Sequence, residues 1–284
     1  MVGVANGAPM RQPAVHLKHR QPDFSFEGVP VLWSPCPEFA LFFVAGSTGA
    51  PAVEPYLNRV MAQAKPLLKD EDLRRDVETF IKQETAHFQI HNAYNDEIAR
   101  HFPFVKEAEQ AKRKDYQAFL ASRSHKFNCG YSAGFETLAL SMALFLFTQS
   151  DEMLEGADPR TVALWKWHLG EEYEHRAVCH EVYNDIYGDY FHRSYMVIWA
   201  FLHLARHNRK ILGRLLADLR KDMSRAEVAA SVRREKAFKR RFMAFHLRHV
   251  ARLLVPGYCP RKVAPPRGLP EFLARYEPAG GAPR

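Results

Sequence analysis

The sequence predicts an all-α protein, on three observations. Strand-like alternation is scarce along its 284 residues. Strong helix formers (Ala, Leu, Glu, Lys, Arg, Gln) fill long stretches between Pro- and Gly-containing breaks. In two stretches, 77–98 and 165–186, apolar residues share one stripe of a helical wheel. With 47% hydrophobic and 12% aromatic content the chain can bury a large core, most simply as one domain.

Residues 1–30 are rich in Gly, Pro and basic residues and lack an apolar signal core, so they read as a flexible leader and not as a secretion signal. Residues 31–255 read as a single helical domain. Its first helix, near 37–46, follows the proline-rich "EGVPVLWSPCP", and "GSTGAP" separates it from a second near 53–66. The acids of "KDEDL" open a long helix over about 70–100, where they complement the positive end of the helix dipole, and "HFPF" ends it. Helices near 105–124 and 129–149 follow. Asp158 as N-cap and Pro159 as first helical residue then start a helix over about 159–187. Two basic helices come next, and 256–284 read as irregular tail.

No uninterrupted apolar run approaches the roughly 20 residues that span a bilayer, so no transmembrane span and a cytoplasmic location are expected. Cys36, Cys129, Cys179 and Cys259 are too scattered for a zinc knuckle or a redox pair and read as reduced thiols. The net charge of +8 comes from one region: residues 206–252 hold 15 Lys and Arg against 4 Asp and Glu. A cationic helix face of this kind is either a solvated surface or a contact for an anionic partner such as nucleic acid, acyl carrier or lipid headgroup.

The stretch "FIKQETAHFQIHNAYN" sets Glu84, His87 and His91 at spacings of three and four. On a wheel of about 100° per residue they share the stripe of Val77, Phe80, Ile81, Phe88 and Ile98. "WKWHLGEEYEHRAVCHEVY" repeats the spacing with Glu172 and His175, on a stripe that also carries His168, Trp165, Leu169 and Cys179. The wheel selects Glu172 over Glu171, at the edge, and over Glu174, well round the side. Two solitary acids complete the set: Glu136 is the one acid between Asp115 and Asp151, and Glu38 the one between Glu27 and Glu54. A carboxylate in such apolar surroundings must be paired, protonated or coordinated, because burying it bare costs several kcal/mol. Two helices each giving Glu and two each giving Glu-x-x-His is the ligand set of ferritin-like dinuclear carboxylate bundles. The expected architecture is therefore a ferritin-like four-helix bundle with extra C-terminal helices. The expected metal ligands are Glu38, Glu84, His87, Glu136, Glu172 and His175, with His91 and His168 as further ligands or as groups that orient the carboxylates.

These motifs resemble the predicted metal-dependent hydrolases of the ferritin-like superfamily over about residues 25–210. "FIKQETAHFQIHNAYN" is similar to the family's Q-E-x-x-H-x-x-x-H motif through Gln83, Glu84, His87 and His91. "WHLGEEYEHRAVCHEVYNDIYG" resembles its W-H-x-x-E-E-x-E-H block through Trp167, His168, Glu171, Glu172, Glu174 and His175. Glu38 keeps the acid of the opening motif behind Pro37 in place of glycine, Thr137 stands where Glu136 is usually followed by histidine, and His180 stands where the family tends to aspartate. The family's name implies hydrolysis, with a metal-activated water and Glu171 as base. The carboxylate-rich donor set favours two iron ions, or manganese, and thus a non-haem oxidoreductase that activates O2 against a small, apolar organic substrate. No glycine-rich nucleotide loop is present, so an external electron donor is expected. A third class, metal or oxygen handling without catalysis, shares the architecture. Phe39, Phe43, Phe80, Phe88, Phe135 and Trp165 are expected to line the substrate pocket.

Overall fold

A computed structural model describes residues 17–253 and 255–277. No strand occurs among the described residues, so the all-α expectation holds. The long helices are α1 (Pro37–Ser47), α2 (Ala50–Ala64), α3 (Glu71–His101), α4 (Phe104–Ser122), α5 (His125–Gln149), α7 (Pro159–His175), α9 (Tyr190–Arg220) and α10 (Arg225–Leu253). Shorter ones are α6 (Asp151–Leu154), α8 (Val178–Ile186) and α11 (Leu269–Leu273).

Local chemistry sets most of these ends. Asp70 accepts from the backbone N–H groups of Asp72 and Leu73, at 2.8 and 3.1 Å, and so caps α3. Asp158 does the same for α7, with Arg160 and Thr161 as donors. Ser124 caps α5 and Asp189 caps α9. Helix α2 begins three residues earlier than expected: Pro51 sits in its first turn, where an N–H has no partner to lose, and Pro55 is carried inside the helix.

The expected single helix over 159–187 is two. The Arg176 guanidinium donates to the Tyr173 carbonyl at 2.6 Å and to the Pro260 and Val263 carbonyls, capturing the end of α7. The ladder resumes with Glu181 N–H to the Ala177 carbonyl at 2.8 Å.

Both flanks of the expected domain pack onto it. The leader expectation fails over its described part, where Phe26 and Val29 lie in the core and the Arg20 side chain is buried; residues 1–16 lie outside the described residues. The tail is not irregular throughout. It carries α11, whose Leu269 and Leu273 are buried, and Tyr173 Oη donates to the Val263 carbonyl at 2.6 Å. Helix α5 is long and apolar enough to cross a membrane by length and composition, but 78% of its most apolar window is buried inside the protein.

Helix α2 lies along α3, and α5 lies against α7, α8 and α9. The α5–α9 approach depends on Gly134: a Cβ there would stand 2.9 Å from the Met196 carbonyl oxygen and 3.1 Å from the Val197 Cα. Because these are backbone atoms, they cannot swing aside. Gly134→Ala should lower stability by roughly 1–3 kcal/mol through overpacking, read as a lower midpoint in chemical denaturation; an unchanged midpoint would show that the two helices have room to part.

Candidate metal centre

Helices α2, α3, α5 and α7 each turn acids inward. Glu54 from α2, Glu84, His87 and His91 from α3, Glu136 from α5, and His168, Glu171, Glu172 and His175 from α7 are all buried, most of them completely. Two overlapping groups could hold metal ions: Glu54, His87, His168 and Glu172, and Glu84, His87, Glu172 and His175. In each group the potential ligand atoms lie within 4.8 Å of one another. His87 and Glu172 belong to both groups, so the two positions share a wall.

Glu38 is absent from this cluster, which corrects the expectation that it is a ligand. Helix α1 packs against α10, and Arg234 of α10 donates Nε and Nη2 to the two Glu38 oxygens at 3.0 and 2.9 Å. Glu54 supplies the fourth helix's acid instead. The signal for it was available: Glu54 is the one acid between Glu38 and Asp70, flanked by Val53, Tyr56 and Leu57, all buried.

The inward atoms are conspicuously unpaired. Both oxygens of Glu54 and of Glu84, Oε1 of Glu136, Oε2 of Glu172, Nδ1 of His87 and Nε2 of His175 are buried without a hydrogen-bond partner. His175 Nε2 lies 3.1 Å from Glu84 Oε1, but out of line for a hydrogen bond. Unsatisfied polar atoms on this scale are rare in a folded interior, where each costs on the order of 1–3 kcal/mol and more when charged. A pair of cations would satisfy the whole set, so these donors fit a dinuclear metal group.

Behind the inner atoms the contacts are well formed. His87 Nε2–H donates to Glu171 Oε2 at 3.0 Å, which turns Nδ1 toward Glu84 and Glu172. Arg20 donates to Glu171 Oε1 at 3.1 Å and to Glu174, which also accepts from Gln83. Both Glu171 oxygens are thus engaged, one by His87 and the other by Arg20, so the expectation of Glu171 as the base finds neither oxygen free. His175 Nδ1–H donates to Glu136 Oε2 at 2.9 Å. His168 Nε2 stands 2.9 Å from Glu172 Oε1 and 3.6 Å from Glu54, placing it with the inner atoms, whereas His91 lies behind it, against His168 Nδ1. His180 lies outside the cluster and accepts from Arg193.

Protons balance the acids when no cation is bound. Burial, and then the charge of Glu84, push the Glu54 carboxyl well up, and burial with Glu172 does the same to Glu136. Burial opposes charge on His87, but Glu171 and Glu84 overcome it and raise the imidazole to about 10. His175 is likewise raised, against burial, by Glu136 and Glu172. Burial would raise Glu84, yet His175 and His87 hold it at about 2. His91 and His168 have burial and neighbouring imidazoles against them and are lowered.

The family's model matches residues 18–264, so the chain belongs to the family described as predicted metal-dependent hydrolases. No curated protein and no solved structure matches it.

Of the aromatic residues expected to line a substrate pocket, Phe39, Phe43 and Trp165 are buried in mutual ring contacts and Phe80 packs on His175. Phe88 does line a cavity, of about 360 Å³, between α2, α3 and α4.

Arg234 is nearly half exposed, whereas the Glu38 side chain is fully buried. Arg234→Ala should therefore destabilise the protein by roughly 1–3 kcal/mol, because it strands a buried acceptor. The pH dependence follows from Glu38, which burial would raise but which Arg234 and Ser231 hold below its ordinary value. Its contribution is present above the unfolded carboxylate pKa and is lost as pH falls through the lower folded value. Denaturation from pH 7 down to 3 should show a smaller acid loss in Arg234→Ala than in the parent; equal losses would remove the pair from the account.

Proposed function

We propose that this protein is a metal-dependent hydrolase with a dinuclear centre held by Glu54, Glu84, His87, Glu136, His168, Glu172 and His175. The observation that carries the reading is the set of buried, unpartnered donor atoms shared between two overlapping four-residue groups. The family description supports hydrolysis. Bound divalent cations would supply a water acidic enough to act as nucleophile near neutral pH and would polarise the substrate's carbonyl or phosphoryl oxygen.

The chain's own residues have separable tasks. Glu171 and Arg20 hold His87 in the tautomer that leaves Nδ1 free for a cation. Glu136 uses one oxygen on His175 and keeps the other unpartnered, so Oε1 is the group placed to hold a proton during turnover. Trp165, Trp167 and Phe80, whose buried rings pack on the imidazoles, shield that side of the cluster from bulk solvent.

Oxidation is the second reading, favoured by one specific observation: four carboxylates outnumber three imidazoles among the inner residues, a hard donor set that suits iron or manganese better than zinc. Two iron ions with an external electron donor would then serve an O2-dependent reaction. Protein loaded with zinc or manganese that cleaves ester, amide or phosphoester substrates without O2 would support hydrolysis. O2 uptake by Fe(II)-loaded protein, with no anaerobic cleavage, would replace it with the oxidative reading.

Metal content tests the residue assignment itself. Glu54→Ala should lose at least one of two bound metal ions in elemental analysis, and Glu38→Ala should keep both. The reverse pattern would return Glu38 to the ligand set. Binding should also weaken as pH falls, because His87 and His175 must give up protons before a cation can take their place. Proton release on adding metal to the metal-free protein in weak buffer would show this directly, and metal uptake without release would contradict it.

A further inference from the structure

Helix α9 packs on α5, buries Met196, Val197 and Ala200, and leaves the opposite side of its first half uncovered. Phe191, Tyr195, Ile198 and Leu202 stand on that side at spacings of four, three and four, and they are 82%, 57%, 46% and 61% exposed. On a wheel of about 100° per residue the four share an arc of about 60°. They are half of the eight large apolar residues that stay exposed among the described residues, so they form a face and not a scatter. Nothing in the proposed chemistry uses this face.

Further along the helix the same side turns cationic. Arg209 continues the apolar stripe and Arg206 borders it, and both are exposed. No acid occurs on α9 between its cap, Asp189, and Asp218, a stretch that also holds Arg193, Lys210 and Arg214. The acids of α4 meet α9 on its flank, Asp115 at 3.6 Å from His203 and Glu107 at 3.8 Å from Arg214. Pressed against a second copy of the chain, the stripe would bury Arg206 and Arg209 with no acid of α9 to receive them, which is costly. An anionic lipid surface has no such conflict. Apolar side chains enter the boundary between headgroups and acyl chains, and guanidinium groups stay among the phosphates.

We propose that the outer face of α9 docks this protein on an anionic membrane surface, with Phe191, Tyr195, Ile198 and Leu202 inserted and Arg206 and Arg209 at the headgroup phosphates. This is attachment to one leaflet and crosses nothing. It does not rest on the reading of the metal centre.

The test is co-sedimentation of the full chain with vesicles of phosphatidylcholine alone and of phosphatidylcholine mixed with phosphatidylglycerol. The parent should bind the mixed vesicles about tenfold or more tightly than the neutral ones, and added salt should erase the difference. Phe191→Ser combined with Leu202→Ser should weaken binding to mixed vesicles about tenfold while keeping the parent's denaturation midpoint. Arg206→Gln combined with Arg209→Gln should remove most of the preference for mixed vesicles. Trp199 borders the stripe and is the one tryptophan of four that is not buried, so lipids brominated on their acyl chains should quench the parent's fluorescence, a readout that needs no variant. A parent that ignores mixed vesicles, or binds them without quenching, would overturn the proposal. Binding that survives the change at Phe191 and Leu202 would assign it to the cations of α10 instead. A parent dimer that this change dissociates, with no vesicle binding, would give the face to a second copy.

Discussion

Four carboxylates buried together in a helical core are the constraint to which the rest of this structure answers. Glu54, Glu84, Glu136 and Glu172 have side chains essentially shut off from solvent, on four different helices. Bringing like charges into a low-dielectric interior costs several kcal/mol for each that lacks a partner. The four cannot all ionise unless compensating cations sit among them. Protons on Glu54, Glu136, His87 and His175, all raised in the metal-free protein, are its own compensation, and divalent cations would replace them.

Holding such a cluster requires an outer layer, and that layer comes from the ends of the described chain. Arg20 reaches Glu171 and Glu174, while Lys18 and Arg20 both approach Glu277. On the other side of α7, Arg176 and Tyr173 bind carbonyls of residues 260–263, and Leu273 packs within reach of Gly170, next to Glu171. The two flanks thus fix the helix that carries more of the inner residues than any other. A helix with four polar groups on its buried face gains little from burial on that face, so its position depends on such contacts more than an ordinary core helix would.

How much of this was legible in the sequence depended on whether the deciding interaction was local. The acids that open α3, the cap at Asp158 and the i, i+3 spacing of Glu84 with His87 and of Glu172 with His175 are local, and they could be read directly. Glu38 could not be resolved in this way. Its apolar setting matched that of a ligand, but the cation that neutralises it, Arg234, lies 196 positions away on a helix whose basic face reads as solvated or as a contact for an anionic partner. Glu54 is as solitary among apolar residues as Glu136, and it falls in the first turn of a helix expected from about 53 that begins at Ala50. The break at Arg176 depended on tail carbonyls that no periodicity reveals. For Glu171 the wheel gave an edge position, and only the contacts with His87 and Arg20 show what an edge carboxylate does.

The two metal positions are alike in composition, each with two glutamates and two histidines, but unlike in what stands behind them. The first is backed through His168 by the neutral series His91, Ser47 and Asn95, which adds direction without adding charge. The second is backed through His175 by Glu136, a carboxylate that adds both. A cation at the second position therefore meets more negative charge within hydrogen-bonding reach and should be held more tightly. If both groups held cations, that inequality would make the second the anchored position and the first the exchangeable one, a division that neither group of four residues would display on its own.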